Sequence, residues 1–112
     1  MHQNETYSRA QATCEEIARR FPNTPTAPYA LYRAACCASN LSHFNDWWRS
    51  ETYDRRYYQH ASNLMRQIWR RYPHSPLVHE ARKFGNVYQN DADEEYEERR
   101  EEAKNAAAKD QE

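Results

Sequence analysis

The sequence predicts an all-α protein of two stacked antiparallel helical hairpins, followed by a C-terminal acidic helical extension. The 112-residue chain contains one glycine and 29% charged residues, whereas a turn-rich β protein needs many more glycines. Apolar residues recur every three or four positions, which is the period of an α-helix. The segment from Tyr7 to Ala30 also recurs as Tyr58 to Ala81, at an offset of 51 residues. These observations indicate a repeated helix, turn and helix unit.

The chain is long enough for one folded unit with a modest core. We expect residues 1–5 to form an N-terminal tail and residues 6–88 a helical domain. Within that domain, the units 6–41 and 51–88 flank an aromatic insertion at residues 42–50. Residues 89–112 form the acidic tail, either helical or frayed.

The first predicted helix has Thr6 as its N-cap and ends at Phe21. Its apolar residues fall on one stripe, and the second copy repeats the register with larger side chains at two positions. The stripe of the first copy is Tyr7, Ala10, Cys14, Ile17, Ala18 and Phe21, and that of the second is Tyr58, Ala61, Met65, Ile68, Trp69 and Tyr72. Pro22 and Pro73 end the two helices because a proline ring blocks continuation of the helix.

The second and fourth helices begin after short turns. Thr24-Pro25 and Ser75-Pro76 each place a hydroxyl N-cap before a proline at the first helical position. Turns this short require consecutive helices to pack antiparallel. The second helix, from Pro25 to Leu41, is rich in alanine, which lets neighbouring helices approach closely, and we expect it in the middle of the stack. The fourth carries Leu77, Ala81, Phe84 and Tyr88 on one stripe.

The insertion between the copies is the most aromatic part of the chain. It predicts a loop from Ser42 to Arg49, followed by a third helix from Glu51 to Arg71. Beyond Tyr88, the sequence has strong helix formers and almost no apolar stripe, which predicts a solvated extension of the fourth helix.

Charge is distributed unequally along the chain. Residues 1–88 hold 12 Lys and Arg against 7 Asp and Glu, a net charge of +5, and residues 89–112 hold 4 against 10, a net charge of −6. Opposite blocks of this kind predict that the tail lies on the body as a salt-sensitive clamp, or that it reaches a basic neighbour in an assembly.

The repeated turn is similar to one found in tetratricopeptide-type helical repeats. In this sequence it reads Phe21-Pro22-Asn23-Thr24 and Tyr72-Pro73-His74-Ser75, with alanines at 10, 30, 61 and 81. The repeat resembles those of outer-membrane assembly lipoproteins of the β-barrel assembly machinery. The resemblance covers residues 6–88. Within it, this sequence lacks the Trp-Leu-Gly-Tyr start of a consensus repeat. It implies peptide or protein docking on stacked helices, with no catalytic residues and no cofactor.

The residues themselves do not favour catalysis or metal binding. No two of the five histidines have the i,i+3 or i,i+4 spacing of helical metal ligands, and there is no Cys-x-x-Cys motif. A Cys/His nucleophile pair is an alternative, but Cys14 and Cys37 fall on apolar stripes, where inert core thiols are usual. A single glycine excludes a glycine-rich phosphate loop. We therefore expect that the protein is not an enzyme and that it binds neither a metal nor a cofactor.

The aromatic insertion has a structural and a functional interpretation. Its tryptophans either close the end of a short repeat stack or form an interface hot spot, where Trp, Tyr and Arg are enriched. We expect one of the adjacent Trp47 and Trp48 to be structural and the other to contact a partner. The predicted partner-binding residues lie in this region and on the second and fourth helices: Trp47, Trp48, Arg49, Arg55, Arg56, Tyr29, Tyr32, Arg33, Arg82 and Lys83.

The function predicted from the sequence is a non-catalytic interaction module, a small scaffold or adaptor subunit that binds a protein partner or forms a homo-oligomer. Two repeats are fewer than such stacks usually need, so we expect a partner or a second copy to complete the array. The alternatives are a nucleic-acid-binding module that uses the arginines and aromatic residues of the insertion, and an envelope-assembly component. The absence of an apolar span and of a signal-peptide pattern predicts a cytoplasmic protein, or a periplasmic one if a leader was removed.

Overall fold

Four helices make up the computed structural model, which describes residues 3–48 and 55–110. They are α1 (Gln3–Arg20), α2 (Thr26–Trp48), α3 (Arg55–Arg71) and α4 (Val78–Asp110). This part of the chain contains no β-strand, so the predicted all-α class is confirmed.

Helices that follow one another in the chain pack together, α1 on α2, α2 on α3 and α3 on α4. The α3–α4 pair is antiparallel, because Gln59 contacts Gln89 whereas Ser62 contacts Gly85. The buried core contains the alanine-rich surface of α2 and the larger apolar residues of α3. Its fully covered members include Ala34, Ala35, Ala38, Ala61, Met65, Ile68 and Ala81, each 0% exposed.

The close approach of α3 and α4 depends on the single glycine of the chain. A Cβ atom added at Gly85 would lie 3.2 Å from the Cβ atom of Met65, tighter than almost all real contacts. The buried hydroxyl of Ser62 donates a hydrogen bond of 3.1 Å to the carbonyl oxygen of Gly85. A larger side chain at position 85 would push the two helices apart.

The two helix-connecting turns make the same backbone hydrogen bonds at positions 51 apart. The amide of Thr24 donates to the carbonyl of Phe21 at 3.3 Å, and that of Ser75 donates to Tyr72 at 3.0 Å. The hydroxyl groups differ, however. Ser75 accepts a hydrogen bond from the amide of Leu77 at 3.2 Å, as an N-cap should, whereas Thr24 donates to the carbonyl of Phe21 at 2.7 Å.

Several predicted helix boundaries are wrong. Helix α1 begins at Gln3, so Thr6 is not its N-cap, and α2 and α4 begin after their prolines, at Thr26 and Val78. The predicted loop is wrong for residues 42–48, which continue α2 to Trp48. These seven positions contain neither proline nor glycine, so nothing in the local sequence ends the helix. The predicted start of α3 at Glu51 lies outside the described residues.

Helix α4 extends well past its contact with α3. Because Gln59 lies opposite Gln89, antiparallel pairing places Asp93 level with Arg55, the first residue of α3. Ala92 is the last buried residue of α4, and every described side chain from Asp93 onward is exposed. These side chains are solvent-exposed within the described structure. The clamp on the body stays a prediction.

Candidate functional site

The predicted partner-binding residues of α2 and α4 are mostly exposed. Tyr29, Arg33, Arg82 and Lys83 lie at the surface, whereas Tyr32 is half-buried. Arg56 of α3 is also exposed. The other predicted residues lie outside the described part of the structure, which contains neither Arg49 nor the side chains of Trp47, Trp48 and Arg55.

Four aromatic rings form a continuous row across α2, α4 and α3, and we call Tyr32, Phe84, Tyr88 and Tyr58 the aromatic row. The ring of Tyr32 meets Phe84 edge to face at 6.4 Å between centroids. Phe84 stacks on Tyr88 at 6.4 Å, and Tyr88 stacks on Tyr58 at 6.5 Å. Edge-to-face and stacked pairs at these separations are favourable beyond their buried area. The row therefore gives the surface between α2 and α4 a continuous apolar floor.

Two exposed apolar side chains continue this surface. Tyr29, one turn before Tyr32 on α2, is 51% exposed, and Val87, one turn after Phe84 on α4, is 44% exposed. The ammonium group of Lys83 lies 5.8 Å from the centre of the Phe84 ring, a cation–π distance. An apolar floor bordered by exposed aromatic and aliphatic side chains has the composition of the centre of a protein-binding surface.

The hydroxyl of Tyr88 anchors the aromatic row to α2. It lies within hydrogen-bonding reach of the thiol of Cys36 and of the buried hydroxyl of Ser39. Burial disfavours the charged phenolate and raises the pKa of Tyr88 to about 12. Burial likewise raises the pKa of the Cys36 thiol. Both groups are consequently neutral at physiological pH, and this arrangement supports packing in preference to nucleophilic chemistry.

Burial also raises the pKa of Tyr32, helped by the nearby negative charge of Glu80. Cys37 is buried, and burial raises the pKa of its thiol as well. The three cysteines are free thiols. Among the side chains of the described segments, no group of three or more His, Cys, Asp or Glu residues is arranged to hold a metal ion. None of the described helices combines the length and the apolar character needed to cross a membrane.

Arg82 belongs to a second surface, so the structure separates it from its sequence neighbour Lys83. The guanidinium of Arg82 lies 5.1 Å from the centre of the Trp69 ring, and that of Arg70 lies 5.4 Å from it. Arg66 lies one turn earlier on α3. We call Arg56, Arg66, Arg70 and Arg82 the arginine face.

The outer side of α3 carries amides between these arginines. Gln59 and Asn63 lie at spacings of three and four residues that place them on one stripe with Arg56, Arg66 and Arg70. Gln59 and Gln89 exchange two amide hydrogen bonds, of 2.9 and 3.0 Å, which fixes α4 against this stripe. Arg56, Gln59, His60 and Asn63 line an open cavity of about 320 Å³, and His60 also contacts Glu15 of α1 at 3.0 Å.

Exposed ion pairs on α1 belong to neither surface. Glu16 contacts Arg19 and Arg20 within one turn of the helix, and their hydrogen bonds lower the pKa of the Glu16 carboxyl. Pairs of this kind are solvated and contribute little to stability.

The sequence interpretation missed Trp69, Phe84 and Tyr88 as parts of these surfaces. It assigned all three to apolar stripes, and each is in fact half-buried, with one side in the core and the other toward a surface. The available signal was the four-residue spacing of Phe84 and Tyr88, together with the arginines adjacent to Trp69 in the sequence.

Comparison with protein-family models, curated proteins and solved structures finds no match for this chain.

Proposed function

We propose that this protein is a non-catalytic interaction module, a small scaffold or adaptor that binds a segment of a protein partner on the surface between α2 and α4. The aromatic row is the observation that carries the proposal. It fixes an apolar floor between two helices, while Tyr29 and Val87 expose about half of their surface beside it. Binding hot spots are enriched in aromatic side chains such as tyrosine.

The chemistry of the site supports binding over catalysis. The Cys36 thiol and the Tyr88 phenol are neutral at physiological pH, because burial raises the pKa of each. A general acid or base needs a pKa near the operating pH, whereas the pKa of Tyr88 is about 12. The arrangement of helices also suits the tetratricopeptide-like stack inferred from the sequence, in which docking onto helices is the usual activity.

Nucleic-acid binding is the second candidate, and the arginine face favours it. Guanidinium groups pair with phosphates, and an exposed aromatic ring stacks on bases. The overall charge of −1 opposes this candidate, as does a helix with seven acidic residues between Asp93 and Glu102. Protein binding is therefore the function that we propose.

Site-specific photocrosslinking tests the proposal. A benzophenone-bearing amino acid is placed at position 29 or 87, and at position 21 as a matched control, since Phe21 is 55% exposed in the α1–α2 turn. The tagged proteins are irradiated in native lysate, with nuclease and at low and moderate salt. We expect positions 29 and 87 to crosslink to one defined protein segment that position 21 does not capture. Equal crosslinking from all three positions, or products lost on nuclease treatment, would overturn the proposal.

A further inference from the structure

The arginine face of one copy and the acidic part of α4 of another copy are complementary in charge. We infer that residues 93–102, the acidic segment, dock on the arginine face of a second copy of this chain, so that two copies exchange acidic helices. This inference concerns a different surface from the aromatic row and does not rest on the proposed function.

The first step is that most of the acidic segment lies beyond the end of α3, away from Arg66, Arg70 and Arg82 of its own chain. Asp93 lies level with Arg55, so the rest of α4 extends beyond the first residue of α3. The helix is continuous from Val78 to Asp110, and a continuous helix does not fold back on itself. The described side chains of the segment are exposed within a single copy.

The second step is the charge of the two surfaces. Residues 93–102 hold seven acidic residues and two arginines, a net charge of −5. The described acids of the segment, all of them exposed, are Asp93, Glu94, Glu97, Glu98, Glu101 and Glu102. The α3 stripe from Arg56 to Arg70 holds no acidic residue. Opposite potentials of this kind steer association and fix the register of two partners.

The third step is the fit in length and side-chain type. Ten helical residues span about 15 Å and the α3 stripe from Arg56 to Arg70 about 21 Å, so the segment can lie along the stripe. Tyr96, near the middle of the segment, is 48% exposed. Trp69 is half-buried, and the guanidinium groups of Arg70 and Arg82 lie 5.4 and 5.1 Å from the centre of its ring. Aromatic and arginine side chains are the types most enriched at the centres of protein interfaces.

A second copy is favoured as the occupant because both complementary surfaces are present in every copy. In a two-fold dimer, each acidic segment contacts the arginine face of the other copy, so both charged surfaces meet opposite charge. It also provides the additional helices that a stack of two hairpins needs for stability.

Sedimentation equilibrium of the full chain measures the association directly. We expect a dimer in about 50 mM salt and a shift toward monomer in about 500 mM salt, where exposed charges are strongly screened. The double variant R70E/R82E reverses the arginine face, and E97R/E98R reverses the acidic segment. Each variant alone should weaken dimerisation by at least about tenfold at low salt, because like charges then face each other.

The decisive arm mixes the two charge-reversed variants. Restoration of a one-to-one heterodimer supports the inference, since only a direct contact between the two surfaces restores attraction. Arg9→Glu on α1, an exposed position outside both surfaces, is the matched control, and it should dimerise like the wild type. Circular dichroism verifies that R70E/R82E folds. E97R/E98R changes only exposed helical residues, so this variant tests the inference even if R70E/R82E does not fold.

Three outcomes would overturn the inference. The first is a wild-type monomer at low salt, and the second is a dimer that E97R/E98R leaves unchanged. The third comes from titrating a fluorescent single-stranded oligonucleotide. Binding that R70E/R82E abolishes, in a wild type that remains monomeric, would assign the arginine face to nucleic acid.

Discussion

Removing the hydroxyl of Tyr88 should make the protein less stable at neutral pH and less sensitive to high pH. In the Tyr88→Phe variant, Cys36 and the buried hydroxyl of Ser39 both lose the hydrogen-bond partner that the Tyr88 hydroxyl provides. A buried hydroxyl left without a partner costs about 1–3 kcal/mol, and a thiol is a weak partner. We expect the free energy of unfolding at pH 7 to fall by about 1–2 kcal/mol.

The pKa of Tyr88 gives the direction of the pH effect. Its value of about 12 in the folded protein lies above the ordinary tyrosine value, about 10, which applies to the unfolded chain. Between these two values, the unfolded chain releases the proton while the folded protein retains it, so stability falls as pH rises through this window. At pH 11, midway between the two pKa values, the unfolded chain's release of the proton lowers the free energy of unfolding by about 1.4 kcal/mol. Because the phenol is half-buried, solvent screening reduces this loss to about 1 kcal/mol.

Urea unfolding at pH 7 and pH 11, followed by circular dichroism with a reductant present, measures both effects. The stability difference between wild type and Tyr88→Phe should shrink by about 1 kcal/mol between the two pH values. Tyr29→Phe is the control at pH 7, since Tyr29 is 51% exposed, and it should have the same free energy of unfolding as the wild type there. A difference that is zero at pH 7, or that is as large at pH 11 as at pH 7, would refute the assignment of Tyr88 as a buried hydrogen-bonded phenol.

Two further substitutions test the packing of the core. Ile68→Ala should lower the free energy of unfolding by about 2–5 kcal/mol, because Ile68 is 0% exposed, whereas the surface control Phe21→Ala should change it by less than about 0.5 kcal/mol. Gly85→Leu should lower the free energy of unfolding by about 1–3 kcal/mol or more, since even a Cβ atom there lies 3.2 Å from that of Met65. Urea midpoints measure the changes in both variants. Unchanged midpoints would contradict the described α3–α4 packing.

The turns and the helical class were predictable from local sequence because their causes are local. Prolines at 22, 25, 73 and 76 restrict the backbone wherever they occur, and they end and start helices in both copies.

The extent of α2 was predicted wrongly. The change in composition after Leu41 suggested a loop, but no residue between 42 and 48 opposes helical angles. Composition is a weaker signal than the presence or absence of a helix breaker.

The candidate sites were only partly predictable. Exposure of Tyr29, Arg33, Arg82 and Lys83 agrees with their assignment to the polar sides of two helices. Arg82 and Lys83 nevertheless belong to different surfaces, one beside Trp69 and the other beside Phe84. Adjacent residues point about 100° apart on a helix, and only the positions of the neighbouring helices decide what each of them meets.

The sequence by itself determined the helical class, the position of both turns and the separation of charge between body and tail, since these follow from backbone restrictions and composition. Only the tertiary structure decided which copy of the repeated stripe is buried. Met65 and Ile68 of α3 are 0% exposed, whereas their counterparts Cys14 and Ile17 of α1 are half-buried. The physical reason is that α3 packs between α2 and α4, so the same local pattern is covered from two sides in one copy and less completely in the other.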